Sequence, residues 1–256
     1  MYEDRYYEES HKYLSAQLDE PNDDEIHLAK STRNIVWDGR PGKPRFLDVG
    51  CGGGRLVMAF LKAGWIVMGI DPSRKAIQAG LKRGLDLRTI ELNSPTLGKF
   101  DLISASHTVE HVYSPKKFLQ QCANHLSSGG FILLEVPDYG SRSARKMREN
   151  WACLYPQVHL YQFTTDTLYR YLRESGFKIV QLRKLGGRGP LEQRRATYQW
   201  SKNSHQLDVK SVLFELRRLL YWSPALKRVL RYLVWHTLGY GEFIRVLAQK
   251  EKHTNR

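Results

Sequence analysis

Cysteine is scarce in this sequence. Only three occur in 256 residues, Cys51, Cys122 and Cys153. Their odd number and their lack of metal-ligand spacing argue against a disulfide framework and against a local zinc site, and they fit a reducing cytoplasm. Long apolar runs are also absent. No window of about 18–20 uninterrupted apolar residues occurs, so nothing reads as a membrane-spanning helix. The opening Met1-Tyr2-Glu3-Asp4-Arg5 lacks the basic-then-apolar pattern of a secretory signal. Internal repeats and low-complexity tracts are missing. Acid is in short supply: 26 Asp and Glu face 40 Lys and Arg, a formal net charge of +14. That imbalance is local. From Arg183 onward, 16 basic residues meet 5 acidic ones, whereas the first 182 residues hold 24 against 21. The first two-thirds therefore reads as an ordinary balanced domain, and the C-terminal third as a basic surface that attracts polyanions or an anionic membrane.

What is present supports a packed core. Hydrophobic residues make up 41% of the chain, which excludes global disorder, and the length suits one α/β domain with an elaboration. A helix is expected from Asp24 to Val36, ended by the Gly39–Pro44 linker. A strand–helix rhythm follows. Strands are expected at 45–49, 65–70, 87–92, 100–105 and 131–136, with helices from Arg55, from the Ser73 cap and from Ser114-Pro115 between them. The Ser127-Ser128-Gly129-Gly130 stretch reads as the turn into the fifth strand. A helix over 164–174, closed by Gly176, precedes a sixth strand at 177–182, and 242–249 reads as a seventh. Alternation at this spacing implies a parallel sheet with helices on both faces.

The first strand ends in Asp48-Val-Gly50-Cys51-Gly52-Gly53-Gly54. Glycines at a strand-to-helix turn let the backbone approach a ligand closely. Asp71 ends the next strand about twenty residues on, where an acid reaches the ribose hydroxyls of an adenosine-type cofactor. A dinucleotide fingerprint needs a third small residue where Arg55 stands, which disfavours NAD and FAD, and no G-K-[ST] follows to make an NTPase loop.

The run D-x-G-x-G-x-G, with Asp71 in place, resembles the cofactor motif of class I S-adenosylmethionine (SAM)-dependent methyltransferases. Phe100-Asp101-Leu-Ile, Thr108-Val-Glu110-His111-Val and Ser128-Gly129-Gly130 resemble later motifs of that family. Trp151…Tyr155-Pro156…His159-Leu160…Phe163-Thr164 resembles the subfamily grouped with ubiquinone-type and sugar-type enzymes. The likeness spans about residues 40–182 and the last strand. It implies a Rossmann-like, seven-stranded, doubly wound sheet with a helical insertion before the last strand. The expected divisions are 1–44 as an N-terminal cap segment, 45–185 as the SAM-binding core, 186–240 as the insertion, and 241–256 as the final strand and tail.

Carried onto this sequence, the resemblance places Asp48, Gly50, Cys51 and Gly52 along the methionine part of SAM and Asp71 at the ribose. Pro72 and Ser73 lie beside the adenine, and Glu91 or Asn93 neighbours its ring. Ser106 and His107 flank the methionine end. Candidate catalytic residues are Glu110, His111 and His159: the first two read equally as residues that shape the loop and helix start, while Trp151, Tyr155 and Tyr161 around His159 favour a place in the acceptor pocket. No metal is expected, because the acids that some quinone-biosynthesis O-methyltransferases place before the Glu-His pair are replaced here by His107.

The insertion carries leucine stripes. Val209, Val212, Leu213, Leu216, Leu219 and Leu220 recur at helical spacing, and Leu226, Val229, Leu230 and Leu233 form a second stripe, with Lys and Arg beside both and Trp222 and Trp235 near their ends. Residues 209–238 thus resemble a helix pair in the headgroup layer of an anionic bilayer; a core-facing pair with a solvated basic face fits the same pattern. The acceptor is expected to be a small or lipid-linked molecule methylated at oxygen, a quinone precursor or a lipid-linked sugar, by an enzyme of the cytoplasm or the inner membrane face. An RNA methyltransferase and a non-catalytic SAM-binding membrane protein are the alternatives, the leucines favouring a greasy partner over nucleic acid.

Overall fold

A computed structural model describes residues 20–186 and 241–251. Its centre is β1 (Arg45–Val49), in which every residue after Arg45 is buried. That pattern belongs to a strand covered on both faces. Parallel neighbours flank it, β2 (Ile66–Ile70) on one side and β4 (Phe100–Ser106) on the other. The sheet continues with β3 (Leu87–Arg88), β5 (Leu126–Pro137), β6 (Phe177–Leu185) and β7 (Phe243–Lys250), in the order β3-β2-β1-β4-β5-β7-β6. Only β7 runs antiparallel to its neighbours β5 and β6. The expected seven-stranded, doubly wound sheet is present, and its strand order reverses between β1 and β4. Ligands of such sheets bind at that switch point, beyond the carboxyl ends of the strands.

Alternation along the strands divides the core. Leu47, Ile103 and Ile132 face one side, where they meet α4 (Pro115–His125) and α6 (Thr165–Glu174). Phe46, Leu102 and Phe131 face the other, where they meet α1 (Asp23–Val36) and α2 (Arg55–Lys62). The rings of Phe46 and Phe60 stack at 3.8 Å. α1 begins with a capping box: Asn22 accepts from the Glu25 N–H, and Glu25 accepts from the Asn22 N–H. The Trp65 indole donates to the Ala29 carbonyl at 3.3 Å and ties the helix to the sheet.

α3 (Arg74–Leu81) has to lie close to the glycine turn. A Cβ on Gly80 would come within 2.1 Å of Leu87 Cδ1 and 2.8 Å of the Gly53 carbonyl oxygen. A glycine inside a helix lowers helix propensity; at the penultimate position of α3 that loss permits the approach. α5 (Arg142–Met147) is a short helix that the sequence pattern does not reveal.

Two expected boundaries are corrected. The third strand, read as 87–92, pairs only at Leu87 and Arg88, because β2 offers it just Gly69 and Ile70. The stretch 127–130, read as a turn, belongs to β5. Leu126 pairs with Phe100, and an irregularity between Phe100 and Leu102 absorbs the extra residues. Gly129 there takes φ +70°, and Gly130 brings backbone against backbone: its Cβ would lie 3.3 Å from the Asp101 carbonyl oxygen. The helix pair expected at 209–238 lies outside the described residues. Among the described residues, no helix is long and apolar enough to cross a membrane.

Candidate active site

The glycine turn after β1 is built by backbone geometry. Gly50, Gly52 and Gly54 adopt φ of +77°, +51° and +84°, a region that side chains rarely tolerate. The N–H groups of Gly50 and Cys51 both donate to the Ile70 carbonyl, at 2.9 and 3.1 Å. This draws the end of β1 onto the end of β2. The Cys51 thiol packs into the small core with Val57, Ile77 and Leu87 and donates to the Gly52 carbonyl at 3.6 Å. From the other side, the Thr108 hydroxyl donates to the Val49 carbonyl at 3.1 Å, with Ser106 O a second acceptor at 3.2 Å. A Cβ on Gly50 would lie 2.3 Å from that hydroxyl oxygen.

Two buried acids serve this turn. Asp71 accepts the Gly52 N–H on one oxygen and the Ser73 N–H on the other, both at 2.8 Å. It thereby joins the β1 turn to the cap of α3, where Ser73 Oγ accepts the Ala76 N–H. Asp48 is 3% exposed and accepts a 2.5 Å hydrogen bond from Ser104, its register partner on β4. Burial, and then the charge of Asp71, push its pKa up to about 7, although the Ser104 bond opposes them. A site with two acids and a left-handed glycine turn fits a ligand that carries both a ribose diol and positive charge, as SAM does with its sulfonium and ammonium groups.

At the end of β4 the chain turns through His107, whose φ of +53° is unusual for a residue with a Cβ. Its N–H donates to the Glu135 carbonyl at 2.8 Å. Its ring lies between two acids, Nδ1 3.4 Å from Glu110 and Nε2 3.5 Å from Glu135. Burial opposes a charge on this ring, but the pull of both acids outweighs it and raises the pKa to about 10. The side chain is nonetheless 44% exposed, so solvent screens the gain. Glu135 also accepts from Arg245 at 2.7 Å. Burial would raise its pKa, and His107 and Arg245 together bring it down to about 2.

Beyond His107 a short 3₁₀ turn, Val109–His111, presents Glu110 and His111. Glu110 is 1% exposed, and neither of its carboxylate oxygens receives a hydrogen bond. His159 arrives from the segment after β5. Its ring centre lies 4.8 Å from that of His111 and 5.8 Å from that of Tyr155. His111 Nδ1 is 3.0 Å from the Val158 carbonyl oxygen and His159 Nδ1 is 2.9 Å from that of Cys153. Burial lowers the His159 pKa, helped by His111 and His107 and opposed by Glu110.

The three catalytic candidates thus meet at one end of the site. Asp48, Gly50, Cys51, Gly52, Asp71 and Ser73 meet at the other, and exposed Pro72 stands between the last two. Ser106 and His107 close β4 between these groups. Glu91 and Asn93 both lie exposed, on either side of buried Leu92. Sequence reasoning missed Ser104, Glu135 and Arg245. The available signal was a polar or charged residue inside each otherwise apolar strand.

Known proteins resemble the chain at two levels. A ubiquinone biosynthesis O-methyltransferase from Caulobacter sp. (strain K31) is 36% identical over 99 residues, which cover 35% of this chain and 39% of that protein. The human mitochondrial ubiquinone biosynthesis O-methyltransferase is 35% identical over 111 residues, covering 37% and 30%. The match thus spans less than half the length of these relatives. A magnesium protoporphyrin IX methyltransferase from Synechocystis, solved with bound SAH, shares the fold at a TM-score of 0.57 and 14% identity, covering 96% of this chain and 97% of that one. The profile of the methyltransferase domain family matches residues 2–182. The chain belongs to that family.

Proposed function

We propose that this methyltransferase transfers the methyl group of SAM to an oxygen of a small or lipid-linked acceptor, a quinone precursor or a lipid-linked sugar. SAM supplies an activated methyl group on a sulfonium. The chain's own task is to hold the acceptor oxygen in line with it and to exclude water. A hydroxyl must also lose its proton. The observation that carries the reading is the grouping of Glu110, His111 and His159 beyond the end of β4, a proton-handling cluster that an acceptor without an acidic proton would not need. The O-methyltransferase names of the relatives support the choice of oxygen.

The cofactor end follows from the acids. Asp71 takes the ribose hydroxyls, with Pro72, Ser73 and Asn93 or Glu91 toward the adenine. Asp48, the Gly50–Gly52 backbone, Ser106 and His107 border the methionine part. A consequence concerns pH. The Asp48 carboxyl, pushed up to about 7, is partly protonated at neutral pH before SAM binds, and a protonated carboxyl offers a cation little. SAM affinity should therefore rise about tenfold from pH 6 to pH 8, with proton release on binding near pH 6.5. Calorimetry in buffers of different ionisation enthalpy checks this. Equal affinity at both pH values in the wild type would refute the assignment, and Asp48→Asn should flatten the profile.

The acceptor class is tested by SAH release with a prenylated catechol, a lipid-linked sugar and bulk RNA. The lipid-tailed acceptors are presented in anionic and in neutral vesicles, since residues 209–238 carry the sequence pattern of an anionic-surface binder. Release is expected with a hydroxyl acceptor, faster on anionic vesicles. Release with RNA alone, or SAM binding without release on any acceptor, overturns the reading.

A further inference from the structure

The start of α4 and the helix α6 do not close on one another. Between them lies a cavity of about 350 Å³, within the size range of small-ligand sites. Ser114 and Lys116 line it from the start of α4, Arg170, Tyr171 and Glu174 from α6, and Tyr161 from the segment after β5. No leucine, isoleucine or valine faces it, so it offers little to a prenyl tail.

Charge sets what this cavity can hold. Arg170 has no hydrogen-bond or ion-pair partner among the described residues. Lys116 has one, Glu174, at 3.5 Å. That distance exceeds an ordinary hydrogen bond, and the two side chains are 52% and 46% exposed, so the pair holds Lys116 weakly. Two cations thus face one acid, and α4 adds the positive end of its dipole beside Lys116. The rings of Tyr161 and Tyr171 both pack on Phe163, with centroids 6.1 and 5.9 Å away, which steadies the wall between the two helices. A guanidinium with free donors beside an ammonium is an arrangement that suits phosphate oxygens.

The cavity is joined to the acceptor end. The Tyr161 N–H donates to the Glu110 carbonyl at 3.2 Å, and the Tyr161 hydroxyl donates to the Tyr113 carbonyl at 3.0 Å. His159 stands two positions before Tyr161, so their Cα atoms lie within about 7 Å of one another. A sugar ring that carries a phosphate on one side and a free hydroxyl on the other spans a comparable length.

We propose that this cavity is the phosphate subsite of the acceptor, which makes the acceptor a phosphate- or diphosphate-linked one, the lipid-linked sugar before the quinone precursor. Lys116 and Arg170 bind the phosphate oxygens, and Glu174 releases Lys116 as they do. The hydroxyl to be methylated then lies toward Glu110, His111 and His159. This inference rests on reading that cluster as the acceptor end.

The test titrates the full chain, saturated with SAH, with inorganic pyrophosphate at low ionic strength. One equivalent should bind, and Lys116→Gln and Arg170→Gln should each weaken it about tenfold. Arg173→Gln removes the same charge from the same helix outside the cavity and should change the affinity less than about twofold. SAM affinity stays at the wild-type value in all three, as evidence of folding. Methylation is then compared on a lipid-linked sugar that carries phosphate and on a lipid glycoside that lacks it, in the same neutral vesicles. KM should be about tenfold lower for the phosphate form, and Arg170→Gln should erase the difference. Absence of stoichiometric pyrophosphate binding, or an equal loss in Arg173→Gln and Arg170→Gln, overturns the site. Displacement of pyrophosphate by anionic vesicles, with equal KM for both acceptors, gives the phosphate to a lipid headgroup and overturns its assignment to the acceptor. If pyrophosphate does not bind and a prenylated catechol is methylated, the subsite fails and the proposed function stands. If pyrophosphate binds as expected and no hydroxyl is methylated, the anion site stands and the proposed function fails.

Discussion

Asp71→Ala should weaken SAM binding at least about a hundredfold. Its carboxylate holds the Gly52 and Ser73 N–H groups at 2.8 Å each, in a position 2% exposed. Alanine leaves two buried donors without their acceptor, each a loss of about 1–3 kcal/mol. The glycine turn then loses its tie to α3 even before a ligand arrives. The ribose diol proposed for this position makes charge-assisted bonds to the carboxylate that alanine forgoes, about 1.5–3 kcal/mol each. Every 1.4 kcal/mol is a factor of ten in affinity, so the loss of two such bonds comes to about two decades. Asp71→Asn separates the two contributions. It keeps one acceptor oxygen for the turn but removes the charge, and should fall between wild type and alanine. Calorimetry measures all three, with circular dichroism to show that the sheet persists. Near-normal SAM affinity in the alanine variant would remove the ribose from this end of β2.

Much of this end of the molecule is legible in the sequence because its signals are local. Asp48, the glycines and Asp71 lie within 24 consecutive residues, and the turn they form is dictated by backbone conformations that glycine alone adopts readily. The buried strands announce themselves as short apolar runs between turns. The boundaries that fail do so where pairing, not propensity, decides. Leu87–Leu92 is apolar enough for a longer strand, but an edge strand can pair only as far as its neighbour offers backbone, and β2 stops at Ile70. Residues 127–130 carry turn composition yet lie in β5, because Phe100 across the sheet holds Leu126 in register.

The network around His107 is harder still to read. His107, Glu135 and Arg245 come from three strands or their ends, and they meet because Ser106 pairs with Glu135 and Glu135 with Arg245. Nothing in the spacing of 110 residues between Glu135 and Arg245 forecasts that register. Once it is known, a charge inside the apolar run Phe131–Val136 becomes intelligible: it faces the ring of His107 and the guanidinium of Arg245. The final strand, β7, thus supplies a side chain that sets the charge beside His107 and Glu135. The order β5-β7-β6 is what allows it.

His159→Ala should leave SAM affinity within about twofold of wild type and lower turnover about 10²- to 10⁴-fold, the range for losing a group that handles the acceptor's proton. The partners of its ring are the Cys153 carbonyl, His111 and Tyr155, none of them in the glycine turn. That same packing gives it a structural role, so alanine alone does not identify the chemistry. Asparagine does. Its amide can take the place of Nδ1–H and donate to the Cys153 carbonyl, but it has no counterpart to Nε2. If His159 only braces the 151–163 segment, His159→Asn regains most of the lost turnover. If Nε2 is the working atom, His159→Asn stays as slow as alanine, with the loss in kcat and little change in KM. Recovery in the asparagine variant would take His159 out of the reaction and leave Glu110 and His111 to carry it.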